Sequence, residues 1–312
     1  MSVSFVIKKT LRLLISLLLF SFLLYGLLAL STGDPALGVL RRLGVNHVSP
    51  EALETTRVKL GMDGAFLERY FKWLLQCLQG DFGYSFQSNI AVRQLMVEKL
   101  SITMQLVSSA FIICLFMAVT IGSLIGNFPA LNWLNQIVSV VLSFPIYWMA
   151  IATIFLFGVQ LKLFPFVGSS TTWHLVLPIF VLSLSEGCYL TKMTGDLLSI
   201  SAISERQTIA KFRHIKWYYR LFYQLKDVFV PLLTLSMTSL IHLFSGVIMI
   251  EIIFSISGIG KLLMEAISTR DYPVIQGITL LLACVTFVLN YVVDLLIQKI
   301  DRRIQLERGG QA

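Results

Sequence analysis

Residues 13–30 read LLISLLLFSFLLYGLLAL, eighteen positions without a charge. Lys8, Lys9 and Arg12 stand just ahead of them. A secretory signal has the same order of parts, but its apolar region runs about 7–15 residues and ends at a small-x-small cleavage site. Here the run is longer and no such site follows cleanly. A stretch of about 20 apolar residues crosses the hydrocarbon core of a bilayer, so 10–30 is read as a retained first transmembrane helix. Working outward, five more runs qualify: 102–125, 137–161, 175–192, 228–254 and 274–297. The chain is thus expected to be an all-α integral membrane protein with six transmembrane helices.

Composition agrees. Of 312 residues, 56% are apolar and 13% charged, with a mean hydropathy of +0.79. An ordinary soluble domain carries about 25% charged residues, so a water-soluble enzyme is excluded. Disorder is excluded because it requires low hydrophobicity. The net charge of +8 would suit nucleic acid in a soluble protein, but its placement points elsewhere. Lys8, Lys9 and Arg12 precede the first span. Segment 193–227 holds Arg206, Lys211, Arg213, Lys216, Arg220 and Lys226 against Asp196, Glu205 and Asp227. The tail holds Lys299, Arg302, Arg303 and Arg308 against Asp301 and Glu307. These three segments carry the whole excess, while 31–101 is nearly balanced. Six spans put all three on one side, and the positive-inside rule makes that side the cytoplasm. Against this stands a short loop near Asn127–Asn135, expected to be cytoplasmic, which has no Lys or Arg.

The chain divides into a cytoplasmic leader and first helix (1–30), an extracytoplasmic helical segment (31–101), and a five-helix core (102–312) containing a cytoplasmic segment at 193–227. Within the second part, Ser49-Pro50-Glu51 opens a helix, with Ser49 as N-cap and Pro50 at the first helical position. Cys77, Cys114, Cys188 and Cys284 are too far apart for a C-x-x-C site and read as small buried hydrophobes. A membrane-embedded enzyme needs ionisable groups at depth. The candidates Glu186, His242, Glu251 and Asp294 are scattered, and neither H-E-x-x-H nor G-x-S-x-G occurs. No G-x-x-x-x-G-K-[ST] occurs either, so the chain itself is expected to bind no nucleotide. The classes left are a transporter subunit whose cytoplasmic helices dock on a motor, and a membrane anchor or sensor.

Six local sequences, in order, favour the first. They are Gly80-Asp81-Phe82-Gly83-Tyr84-Ser85, Ser143-Phe144-Pro145-Ile146-Tyr147-Trp148, Phe164-Pro165 with Leu177-Pro178, Glu251-Ile252-Ile253-Phe254-Ser255-Ile256-Ser257-Gly258-Ile259-Gly260, Arg270-Asp271-Tyr272-Pro273-Val274-Ile275-Gln276-Gly277, and Asp294 with Asp301-Arg302-Arg303-Ile304. The succession resembles the permease subunits of the dipeptide/oligopeptide/nickel family of ABC importers over essentially the whole chain. Within that family it resembles the first permease of nickel importers, through Ser31-Thr32-Gly33-Asp34-Pro35-Ala36-Leu37, Pro50 to Arg57, Leu60-Gly61-Met62-Asp63, and Met249 to Phe254. The resemblance implies the type I importer fold, alternating access, and no cofactor on this chain, ATP and Mg being used by partner subunits. It implies a second homologous permease, two ATP-binding subunits and an extracytoplasmic solute-binding protein, in the bacterial cytoplasmic membrane with both termini inside. The implied cargo is nickel, free or chelated, with a dipeptide or oligopeptide as the alternative.

The family couples to its ATPase through a cytoplasmic helical loop, which corresponds here to 204–231. Ala210-Lys211 resembles its Ala-x-Gly core, and Lys226-Asp227-Val228 before Pro231 resembles Arg-Asn-Ala before Pro. Arg206, Ala210, Lys211, Phe212, Arg213 and Trp217 are therefore the coupling candidates. The family's glycine should fall near Phe212 or Arg213, yet no Gly occurs between Gly195 and Gly246. Since glycine normally permits the turn between the two short helices, a different turn, an unusual ATPase or a degraded coupling site is expected. Trp217, Tyr218, Tyr219 and Arg220 suit either a docking surface or a helix lying at lipid headgroups.

On the opposite side, Gly258 and Gly260 allow a tight re-entrant turn in 257–271, which in the family faces the binding protein. Leu262, Leu263 and Met264 then dip toward the membrane. Pro145 should kink the third span. Glu186, an acid at membrane depth, and His242 are pathway candidates beside Pro145. His242 and Met249 lie two turns apart, too far to share one ion, and no metal site is assigned.

Overall fold

The computed structural model describes residues 3–30, 35–42, 48–59, 63–169 and 171–300. The stretches Ser31-Thr32-Gly33-Asp34, Leu60-Gly61-Met62 and Asp301-Arg302-Arg303-Ile304 lie outside the described residues. Among those described the regular structure is helical: α1 Val3–Ala29, α2 Pro35–Arg42, α3 Pro50–Lys59, α4 Phe66–Leu78, α5 Val92–Asn127, α6 Asn132–Leu142, α7 Ile146–Thr153, α8 Val176–Ala202, α9 Glu205–Phe212, α10 Trp217–Asp227, α11 Phe229–Ile253, α12 Ile259–Thr269 and α13 Tyr272–Ile300. The cap of α3 is as expected, the amide of Ala52 donating to Ser49 Oγ at 3.1 Å.

Five of these helices are long and apolar enough to cross a membrane, within α1, α5, α8, α11 and α13. The third expected span is the correction. It is a broken pair, Pro129–Leu142 and Ile146–Gln160, bent by 95°. Pro145 does not kink a continuous helix. It takes an extended conformation (φ −62°, ψ 144°) as the N-cap residue of α7, and its ring disfavours helix at Phe144 before it. The count is therefore five spans, or six if the bent pair is one. Two other bounds differ. α5 begins at Val92, ten residues before the apolar run, and α8 continues past Lys192 to Ala202. Helical propensity carries both beyond the hydrophobic stretch, since a span's end in lipid need not end its hydrogen-bond ladder.

The chain forms two compact units. One comprises residues 102–257 with short stretches from the two ends; the other comprises 7–101 and 258–288. In the first, α8 is the central helix, packed on α6, α7, α10 and α11. α5 also packs closely on it. A methyl group at Gly126 would come 2.7 Å from Leu198 Cβ and 2.9 Å from the Gly195 carbonyl. Small residues let backbones approach in lipid, where dispersion rather than the hydrophobic effect joins helices. In the second unit the core gathers Val92, Met96, Ile259, Ala266, Val274, Ile275 and Ile278.

Candidate functional site

The first unit brings Glu186 and His242 together at membrane depth. Glu186 lies on α8 and His242 on α11, with Glu186 Oε2 3.7 Å from His242 Nδ1. That is ion-pair range once the imidazole is protonated. The carboxylate is largely covered, whereas the His242 side chain is 51% exposed. The Tyr189 ring, one turn from Glu186, lies 6.1 Å from the imidazole. One turn along α11, Gly246 leaves room for Ile146 and Leu182, which would stand 3.5 Å and 3.7 Å from a methyl group there. The break at Pro145 thus meets α8 and α11 a turn away from the pair.

A second buried acid sits further along α11. Glu251 is fully buried and accepts a hydrogen bond from Thr103 Oγ1 at 2.6 Å, joining α11 to α5. Its backbone carbonyl accepts from the amide of Ile256 at 2.8 Å, across a turn in which Ser255 has φ 54°. Sequence reasoning noted Glu251 as ionisable but missed this pairing, because the partner is 148 residues away.

The coupling candidates form a helical hairpin, α9 and α10, and the missing glycine has a clear replacement. His214 takes the left-handed conformation at φ 52°. Its amide donates to the Lys211 carbonyl and that of Ile215 to the Ala210 carbonyl, both at 3.0 Å. These two bonds are the Schellman pattern that usually employs glycine. The hairpin is clasped by Arg206 to Asp227 at 2.8 Å, by the Arg206 guanidinium 5.3 Å from the Tyr223 ring centroid, and by Gln207 Nε2 donating to the Arg220 carbonyl at 3.3 Å. Arg206 and buried Ala210 therefore hold the hairpin together. Lys211, Phe212, Arg213 and Trp217 face outward, Phe212 being 79% exposed.

In the second unit, Gly258 and Gly260 do not form the expected tight turn. Gly258 is extended (φ −99°, ψ −174°) at the head of α12, and Gly260 lies buried inside that helix. The apolar residues after them favour an amphipathic helix: Leu262 and Leu263 pack on the core, while Met264 is exposed. The polar focus is Asp271, 2% exposed. It accepts from the Ser85 hydroxyl at 2.5 Å, the Phe86 amide at 3.0 Å and the Gln87 amide at 3.3 Å. Two of the quoted motifs, Gly80 to Ser85 and Arg270 to Gly277, thereby form one structure. Nearby, burial pushes the Cys77 thiol up to about 12, with the Asp81 carboxylate adding to the effect. The thiol is thus neutral at ordinary pH and a poor nucleophile.

Residues 115–306 match the family described as binding-protein-dependent transport system inner membrane component, and residues 2–107 match the N-terminal part of such components. The chain is 29% identical over 315 residues to the nickel import system permease protein NikB of Staphylococcus aureus strain USA300, covering 98% of this chain and 94% of that protein. The NikB of strain MRSA252 is 28% identical over 311 residues, with 98% and 93% covered. These matches decide for a transport component over a membrane anchor or sensor, and against an enzyme. The helical architecture is the type I importer fold, in a multi-pass protein of the inner membrane that works with other subunits of an import system. The chain belongs to the family of binding-protein-dependent transport inner membrane components, as a permease subunit of the dipeptide/oligopeptide/nickel group of ABC importers.

Proposed function

We propose that this permease carries nickel, free or chelated, inward by alternating access, and that Glu186 and His242 line its pathway. The observation that carries the reading is the pair itself. An ionisable side chain at membrane depth is too costly to leave against lipid, so it faces protein or a water-filled route. His242 is half exposed on this chain, which suits a surface completed by a second permease. A carboxylate and an imidazole are ligands that a divalent metal accepts. Two of them are too few to hold an ion tightly, as transit requires. The similarity to the NikB proteins supports the same cargo.

The remaining parts follow. A homologous permease, two ATP-binding subunits and an extracytoplasmic solute-binding protein complete the machine. The basic hairpin α9–α10 lies on the cytoplasmic side with both termini and meets the ATPase through Lys211, Phe212, Arg213 and Trp217. α12, headed by Gly258 and Gly260, faces the binding protein. ATP and Mg are used by the partner subunits and no cofactor is held here. The decisive experiment is radioactive nickel uptake by cells carrying the intact system, with Glu186→Gln and His242→Phe. Both should lower uptake at least tenfold while membrane levels of the chain stay constant. Wild-type nickel uptake in both variants would refute the pathway assignment. Wild-type dipeptide uptake by the parent system, with nickel uptake absent, would favour the peptide reading, in which Glu186 meets the substrate ammonium.

A further inference from the structure

α4 connects to no membrane span by composition, yet it packs on one. Phe66, Tyr70 and Trp73 meet Phe22 and Tyr25 of α1, with ring centroids 5.2–5.8 Å apart. The Tyr70 hydroxyl shares a hydrogen bond with Ser21 Oγ at 2.9 Å. The depth follows from helix geometry. The candidate span in α1 is 25 residues, Phe5–Ala29, or about 37 Å at 1.5 Å per residue. A hydrocarbon core of about 30 Å takes up only part of that length. With Lys8, Lys9 and Arg12 kept at the aqueous end, the uncharged run 13–30 fills the core, and Tyr25, Phe22 and Ser21 lie about 8–14 Å from its far end, in the outer half of the span.

The opposite side of α4 is also apolar. Leu67, Phe71, Leu75 and Leu78 follow one another at helical spacing and are 56–77% exposed. The polar residues Glu68, Lys72, Gln76 and Gln79 occupy the arc between, also exposed. A helix in water does not favour an apolar stripe on its open face, whereas a helix lying in the membrane interface requires one. α1 likewise leaves Leu19, Leu23 and Leu27 exposed, on the side of that helix turned away from α4 by helical spacing.

We propose that α4 is an in-plane membrane helix: its aromatic face rests on α1, its Leu67–Phe71–Leu75–Leu78 stripe is covered by phospholipid acyl chains, and its Glu68–Lys72–Gln76 edge points to water. Part of the segment between the first two spans is therefore bilayer, not aqueous domain. Phe66, Tyr70 and Trp73 reach from the interface onto α1, and Tyr70 fixes α4 to α1 by a buried hydrogen bond. This placement does not depend on the cargo.

The test is spin-label accessibility on the full chain in phosphatidylcholine–phosphatidylglycerol nanodiscs. The four native cysteines are replaced by alanine, and Phe71→Cys or Lys72→Cys is labelled. At 71, collision with oxygen should exceed collision with chromium oxalate several-fold, and at 72 the ratio should reverse. Chromium oxalate reaching both labels equally would place α4 in water and overturn the proposal. Protection of the label at 71 from both reagents would mean that protein covers the stripe, and would overturn it equally. Because the substituted chain can misfold, the unaltered chain is also photolabelled from a phosphatidylcholine with a diazirine on its acyl chain. Label should appear in the peptide containing Leu67 to Leu78 as well as in α1; label in α1 alone would refute the placement.

Discussion

Replacing His214 by glycine should tighten the α9–α10 hairpin, and the size of the effect follows from one backbone angle. His214 sits at φ 52°. The left-handed region costs an L-residue about 1–2 kcal/mol. Glycine escapes that strain but loses roughly 0.5–1 kcal/mol more freedom on ordering than other residues. The balance favours glycine by about 1 kcal/mol, or about fivefold in the local opening equilibrium. The imidazole is exposed, so its removal takes little packing with it. The assay is hydrogen exchange on the full chain in nanodiscs, read at the amides of 214 and 215, which donate to Lys211 and Ala210. His214→Gly should slow their exchange about fivefold. His214→Val should speed it, since a β-branched residue is least tolerant of positive φ. Unchanged or faster exchange in His214→Gly would refute the idea that a strained left-handed turn stands where glycine usually does. Functional coupling should survive His214→Gly, because the hairpin keeps its geometry.

Two further outcomes test the remaining sites. Phe212→Glu with Arg213→Glu reverses the charge of the exposed end of α9 without touching the Arg206–Asp227 clasp. It should abolish cargo-stimulated ATPase activity while the complex still assembles, as judged by co-purification of the ATP-binding subunits; normal stimulation would sink the coupling role. Asp271→Ala takes the acceptor from the buried Ser85 hydroxyl and the half-buried Phe86 amide and should destabilise the second unit by about 2 kcal/mol, seen as a lower melting midpoint and reduced membrane level. Asp271→Asn keeps an acceptor and should lose less, and equal loss in both would show that the charge, not the hydrogen bonding, matters.

How much of this was legible beforehand differs from element to element. The cap at Ser49 and the spans of α1, α11 and α13 were readable, since each rests on local composition that a short window contains. The third span was not. Pro145 announces a disturbance, but whether a helix bends slightly or turns by 95° depends on what α8 and α11 offer its two halves. Gly258 and Gly260 misled for a similar reason. Glycine permits positive φ, but Ser255 and Arg270 are the residues that adopt it here. The pairings Glu186–His242, Thr103–Glu251 and Ser85–Asp271 were invisible, because no short-range pattern encodes contacts across 56, 148 or 186 residues.

By itself the sequence determined that this chain lives in a membrane and how its charge is divided, because burying apolar residues and placing basic ones depend on residue type alone. Its ordered motifs also carried the family likeness. The tertiary structure decided which polar groups meet, how the hairpin turns without glycine, and that α4 rests against a span. Those outcomes turn on geometry between distant segments, where a few ångströms separate an ion pair from two unrelated side chains.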